Sequence, residues 1–232
     1  MFKFIARLWL RLVNRAPKPR VSESTVADNK PQYPTSYKPL VVAIINGHSA
    51  KKPNAKAYNG TREYFWNDDV QEYIFAKYEG KIKLIQLDRP DWGYKRAMKW
   101  LAQQCHKHKV DVAIELHFDA AGVPKAKGGH FRTMKGNKEA LAQAQDFMEG
   151  YLGRFNFASQ RHNGVKEMKQ SDAGYWFCYY MDKYGIAGML FEPFFADYKT
   201  EESAPFLELD GHKLMAHYWI AELDKLEARL NL

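Results

Sequence analysis

A chain of 232 residues, 46% of them hydrophobic, can fill the core of one substantial domain and is too short to suggest several. Its formal net charge of +8 excludes an acidic solvating protein and favours an anionic surface, without choosing among nucleic acid, phospholipid and acidic wall polymer. Cys105 and Cys178 belong to no CxxC pair, which argues against a cysteine-built zinc site and reads as two partly buried free thiols.

Residues 1–15 are apolar and basic together. Arg7 and Arg11 interrupt the apolar run, so it is too short to span a bilayer, and it lacks the unbroken centre of a secretory signal. On a helix, Phe4, Ile5, Leu8 and Leu12 share a face, with Lys3, Arg7, Arg11 and Arg15 mostly elsewhere. That pattern fits an interfacial helix on anionic lipid, and equally a helix docked on its own domain. Residues 16–38 are polar and carry several prolines, as a linker would. The ordered domain is expected over 39–232.

From there strand and helix signals alternate. "LVVAIIN" reads as a buried strand and stops at Gly47-His48. "TREYFWNDDVQEYIFAKYEG" reads as a helix with Phe65, Val70, Ile74 and Tyr78 as its apolar positions. "KIKLIQL" is a strand, "DWGYKRAMKWLAQQCHKHK" a helix, "VDVAIELHF" a strand and "GGHFRT" the start of another. "NKEALAQAQDFMEGYLGRF" is a long helix. "SQRHNGVKEMKQSDAGYWF" reads as a loop leading into a strand, "GYWFCYY". "GIAGMLFEPFF" is a further strand, and the rest is mostly helix. This alternation predicts a single α/β domain, a largely parallel twisted sheet with helices on both faces.

In such a sheet the carboxyl ends of the strands gather on one edge, where α/β proteins place their sites. His48, His117 and Glu192 each end a strand there, and Glu63 opens the helix that follows His48. Each alone has an ordinary reason: a hydrogen-bonded histidine, a carboxylate favoured by a helix dipole, a strand-end acid. Together, two imidazoles and a carboxylate form a ligand set suited to a catalytic zinc. Glu192 then stands as the group that moves protons.

The stretches "INGHSA", "NGTREYFWNDDV", "LDRPDWGYKRAMKWLAQQC", "VDVAIELHFDA", "GGHFRT" and "AGMLFEPFF" resemble, in order and spacing, the zinc-dependent N-acetylmuramoyl-L-alanine amidases over roughly residues 40–230. The resemblance implies zinc as cofactor, with His48, Glu63 and His117 as ligands and Glu192 as the catalytic residue. It also matches Arg96 to an arginine of the family's helix before the second histidine strand. Two departures stand out. Ser49-Ala50 replaces the family's Gly-Gly after the first histidine. Glu115-Leu116-His117-Phe118-Asp119 replaces Ser-Ile-His-Ala-Asn, setting an acid at Asp119 near a ligand.

The substrate implied is peptidoglycan, cut between N-acetylmuramic acid and L-alanine. Asp119, His130, Arg161 and Asn163 are candidate substrate contacts, with Lys166 beside them. Tyr175, Trp176, Tyr179 and Tyr180 fit core packing better than a groove. His106 and His108, two residues apart, do not share a helix face and read as a solvated basic end. A zinc metallopeptidase on a related fold, or an inactive basic binding module, stay open as alternatives. A monomer with no nucleic-acid partner is expected, acting at the cell wall, with an anionic membrane reached through residues 1–15. Phage lysin and bacterial remodelling enzyme both fit; the lack of wall-binding repeats leans to the lysin.

Overall fold

The computed structural model describes residues 21–23 and 39–230. Seven strands form one sheet: β1 (Val21–Glu23), β2 (Val41–Asn46), β3 (Lys83–Asp88), β4 (Val112–Leu116), β5 (Gly129–Met134), β6 (Gln160–Met168) and β7 (Ala187–Glu192). Their order is β1-β3-β2-β4-β7-β5-β6. The four central strands β3, β2, β4 and β7 are mutually parallel. β1 joins antiparallel to β3, and β5 joins antiparallel to β7 and carries β6 parallel to itself. The expected parallel core is present, with reversed strands at its margins.

Helices cover both faces. α1 (Glu63–Lys77), α3 (Lys138–Arg154) and α6 (Gly211–Arg229) pack on one, and α2 (Tyr94–Lys107) and α4 (Tyr175–Lys183) on the other. A single turn, α5 (Ala204–Leu207), precedes α6. The strands alternate between the two cores, as a two-residue period requires. Val42, Ile44, Ile114, Met189 and Phe191 meet Trp66, Phe147, Tyr151, Tyr218 and Trp219. Val41, Ala43, Ile45, Ala113 and Leu190 meet Met98, Leu101, Cys105, Phe177, Cys178 and Met181. Much of the 15% aromatic content therefore goes into the first core, where Phe131 stacks on Phe191 at 4.2 Å between ring centroids. Both cysteines are free and buried, and burial raises both thiols far above their ordinary pKa.

Several sequence expectations need correction. "GYWFCYY" is not a strand. Gly174 adopts φ 88°, a left-handed conformation that suits glycine, and the chain turns there into α4. Phe177, Cys178 and Met181 then share the buried side, three and four residues apart, while Tyr175, Trp176 and Tyr179 pack partly buried around it. Conversely, the polar stretch before it is not all loop. Residues 160–168 form the margin strand β6, mostly open to solvent and irregular where His162 and Asn163 take positive φ. In α1, Val70 and Ile74 are buried as expected, but Phe65 is only half-buried, and Tyr64 and Trp66 go inward instead. β1 lies inside the stretch read as linker. The basic segment 1–15 lies outside the described residues.

Candidate active site

Chain direction explains which residues meet. β2, β4 and β7 end on one edge, delivering His48, His117 and Glu192. β5 and β6 run the other way, so their first residues lie on that same edge: His130 is in register with Glu192, and Arg161 is the second residue of β6. α1 starts over the edge with Glu63, its first residue.

Glu63 is the hub. It is 1% exposed, and its Oε1 lies 3.2 Å from His48 Nε2 and 2.9 Å from His117 Nδ1. The Phe118 amide also donates to Oε1 (3.1 Å), and the Asn54 side-chain amide donates to Oε2 (3.0 Å). Burial alone would raise this carboxyl's pKa, but the bonds from His117 and His48 outweigh it and hold it well below the usual range. His48 is pulled down by burial, only partly offset by Glu63. His117 is pulled down by burial too, but Glu115 and Glu63 more than reverse this and raise it to about 10. Gly47, before His48, has a steric reason. A Cβ there would sit 2.1 Å from His117 Nε2, so no side chain fits where the two strand ends meet.

Glu192 is 7% exposed, and its Oε2 is buried with no hydrogen-bond partner among the described residues. Oε1 lies 3.5 Å from Arg132 Nη2. Burial and the nearby Asp119 raise its pKa, against the lowering pull of His117 and Arg132, to about 7. Asp119 forms an ion pair with Arg161 and stands 3.7 Å from Arg132. Arg132 donates from Nε to His130 Nε2 (2.9 Å) and from Nη1 to the Ala173 carbonyl (2.9 Å).

His48, Glu63, His117, Glu192, Asp119 and Arg161 thus gather at one edge. His130 is fully buried and contacts Arg132 and the ring of His162. Asn163 is exposed and lines a separate groove with Met148, Glu149 and Leu152. Lys166 pairs with Asp172, and Arg96 is exposed on α2, over the Trp92 ring. His106 is exposed at the end of α2 and His108 caps it. Sequence reasoning missed Asn54, Arg132 and the part played by Glu115. For Arg132 a signal existed: it follows His130 by two residues, so a strand puts both on one face.

The donor atoms of His48, Glu63 and His117 all lie within 4.8 Å of one another, a cluster fit for a metal ion. The N-acetylmuramoyl-L-alanine amidase family model matches residues 42–205, which contain every residue of this edge. The chain belongs to that family. Solved amidases share the fold. AmiC2 of Nostoc punctiforme superposes with a TM-score of 0.62 at 14% identity, covering 81% of this chain and 96% of its own. The amidase of Clostridium difficile 630 gives 0.63 at 16%, covering 81% and 96%. The CwlV catalytic domain of Bacillus (Paenibacillus) polymyxa var. colistinus gives 0.60 at 15%, covering 81% and 97%. Among curated proteins none matches significantly by sequence. This amidase is a peptidoglycan hydrolase that acts on the cell wall. Among the described residues no helix is long and apolar enough to cross a membrane.

Proposed function

We propose that the enzyme cleaves the amide between N-acetylmuramic acid and L-alanine with zinc held by His48, Glu63 and His117, and with Glu192 as the proton-transfer group. The convergence of those three donor sets beside Glu192 carries the reading. The donor chemistry fits: two imidazoles and one ionised carboxylate suit zinc and leave a position open. When bound, zinc polarises the amide carbonyl and makes water more acidic. The chain's own residues do the rest. Glu192 Oε2, unpartnered among the described residues, accepts a proton from the attacking water and passes it to the departing alanine nitrogen. Arg132 steadies the carboxylate through Oε1 without occupying Oε2. Arg161, paired with Asp119 beside the cleft, is the best-placed contact for the peptide stem.

Incubation with purified muropeptides should release free stem peptides, resolved by mass, and a chelator should abolish release until zinc is restored. His117→Ala should lose both stoichiometric zinc and turnover, because one of three protein ligands is gone. Undiminished release from protein shown free of metal would overturn the assignment.

We further propose that residues 1–15 bring the enzyme to an anionic membrane. The support is their sequence: Lys3, Arg7, Arg11 and Arg15 beside Phe2, Phe4, Ile5 and Trp9. Each basic residue at such a surface adds about 1 kcal/mol. A truncation starting at residue 16 retains β1 and should keep turnover on soluble muropeptides while binding anionic vesicles more weakly. High salt should weaken the full chain's binding. Equal vesicle binding by both proteins would assign the segment elsewhere.

A further inference from the structure

Glu115 has no place in the chemistry described so far. It lies on β4 two residues before His117, so the strand period puts both on the same face. Its strand neighbours on that face are apolar, and Tyr94 and Cys178 lie near it from the covering helices. Ala113 precedes it, and its register partners on the adjoining strands are Ile45 and Leu190. A carboxylate fully buried there is costly unless something compensates it. Neither Glu115 oxygen has a hydrogen-bond partner among the described residues, and neither has His117 Nε2. These unpartnered atoms face each other, Oε2 lying 3.3 Å from Nε2. The other ring nitrogen, Nδ1, is the one turned to Glu63. Gly47 packs so close to the Nε2 side that the ring has little room to shift.

A neutral imidazole carries one N–H and one lone pair, and the partner of one nitrogen decides the state of the other. An ionised carboxylate only accepts. Set against Nε2, it holds a proton there when Nδ1, the atom facing His48 and Glu63, gives up its own to a metal ion. We infer that Glu115 is a positioning residue that fixes the tautomer and orientation of His117, so that Nδ1 is presented to the metal. Glu115 Oε2, 3.3 Å from Nε2, is placed to accept from Nε2–H once Nδ1 is on the metal, and so to raise the donor strength of Nδ1, as carboxylates behind metal-binding histidines do. The inference rests on the proposed ligand role of His48, Glu63 and His117.

The test measures zinc affinity by competition with a chromophoric chelator for the full-length protein and for Glu115→Leu, Glu115→Gln and His117→Ala. Metal-free thermal stability is recorded alongside. Leucine fills similar volume without a buried charge, so Glu115→Leu should be as stable as the parent or more so. Its zinc affinity should nevertheless fall about 10- to 100-fold. A residue that merely supported the fold would not separate the two readouts in this way. Glutamine can still accept from Nε2–H but lacks the charge, so its loss should be smaller, about tenfold. In zinc-loaded parent protein the His117 Nε2–H proton should give a downfield, slowly exchanging resonance that Glu115→Leu abolishes. Zinc affinity within twofold of the parent in both substitutions would overturn the inference. If Glu115→Leu fails to fold, Glu115→Gln decides by the same criterion. A parent protein that binds no zinc, or a His117→Ala that binds it as tightly, would overturn the ligand assignment beneath it.

Discussion

Glu63 and Glu192 are two carboxylates on one sheet edge, both almost fully buried, and burial is the largest influence on each. They nevertheless end in opposite states. Glu63 lies against two imidazole nitrogens and accepts from a side-chain amide and the Phe118 amide, so its charge is compensated and it stays ionised. Glu192 has a guanidinium 3.5 Å away, a competing negative charge at Asp119 and one orphaned oxygen, so it holds a proton up to about neutral pH. Burial therefore does not decide a carboxylate's role. The number and sign of its partners do, and a pair pushed apart in this way is what the proposed division between ligand work and acid–base work requires.

The strongest break of this comparison exchanges each carboxylate for its amide. Glu192→Gln should keep the fold and near-parental zinc content while losing about 10²- to 10⁴-fold in turnover, because proton transfer alone is removed. Glu63→Gln should lose zinc as well as turnover, because a neutral amide is a poor partner for the ion and leaves the imidazoles uncompensated. Elemental analysis beside a muropeptide assay separates the two. Zinc loss in Glu192→Gln, or its retention in Glu63→Gln, would show that the roles are wrongly divided.

Stability should report the same contrast in metal-free protein, at smaller size. The Glu192 carboxyl titrates near 7 in the folded chain against an ordinary 4.5. Below pH 4.5 both folded and unfolded chains hold the proton, and the group costs nothing. Between the two values the unfolded chain releases it first, so the folded state loses stability as pH rises, and the cost levels off above 7. Glutamine removes that cost. Metal-free Glu192→Gln should match the parent near pH 4.5 and exceed it by about 1–3 kcal/mol at pH 8 in urea titrations. A difference that stays flat across this range would mean that Glu192 is not held protonated by its surroundings.

The fold, and the meeting of the four candidate residues at one sheet edge, were legible because they rest on strong local signals. "VVAIIN", "VAIEL" and "AGMLFE" are buried parallel strands whose ends announce themselves with a polar residue. Where local propensity and tertiary setting disagree, the sequence misleads. "YWFCYY" is rich in strand-forming aromatics, yet it is helical because Phe177, Cys178 and Met181 fill the second core at helical spacing. β6 hides behind polar residues because a mostly exposed marginal strand needs few apolar ones. The cation cluster was only half visible. Arg161 reaches the site because β5 and β6 are reversed, a fact of topology that no local pattern carries. Glu115 enters the sequence reading only as part of a departure from the family's motif; that it lies beside His117 Nε2 is visible only in the fold.

The finest test moves the charges around Glu192 without touching it. Arg132 lowers the proton affinity of Glu192 and Asp119 raises it. Arg132→Gln removes the cation and should shift the acidic limb of the kcat/KM profile to higher pH. Asp119→Asn removes the opposing charge and should shift it to lower pH, the more so because Arg132 is then no longer shared between two carboxylates. Each displacement should be about half a pH unit to one unit, the range expected when a single neighbouring charge is removed from a partly buried site. A zinc ion at the proposed site would, as a positive charge common to all three proteins, lower the limb in each, so the opposition between the two variants is expected to survive loading. Both substitutions also disturb local geometry, Arg132 through His130 and the Ala173 carbonyl, Asp119 through Arg161, and so lower the plateau rate. The plateau reads geometry and the limb reads charge. Limbs displaced in the same direction, or unmoved in both variants, would mean that some group other than Glu192 sets the acidic side of the profile.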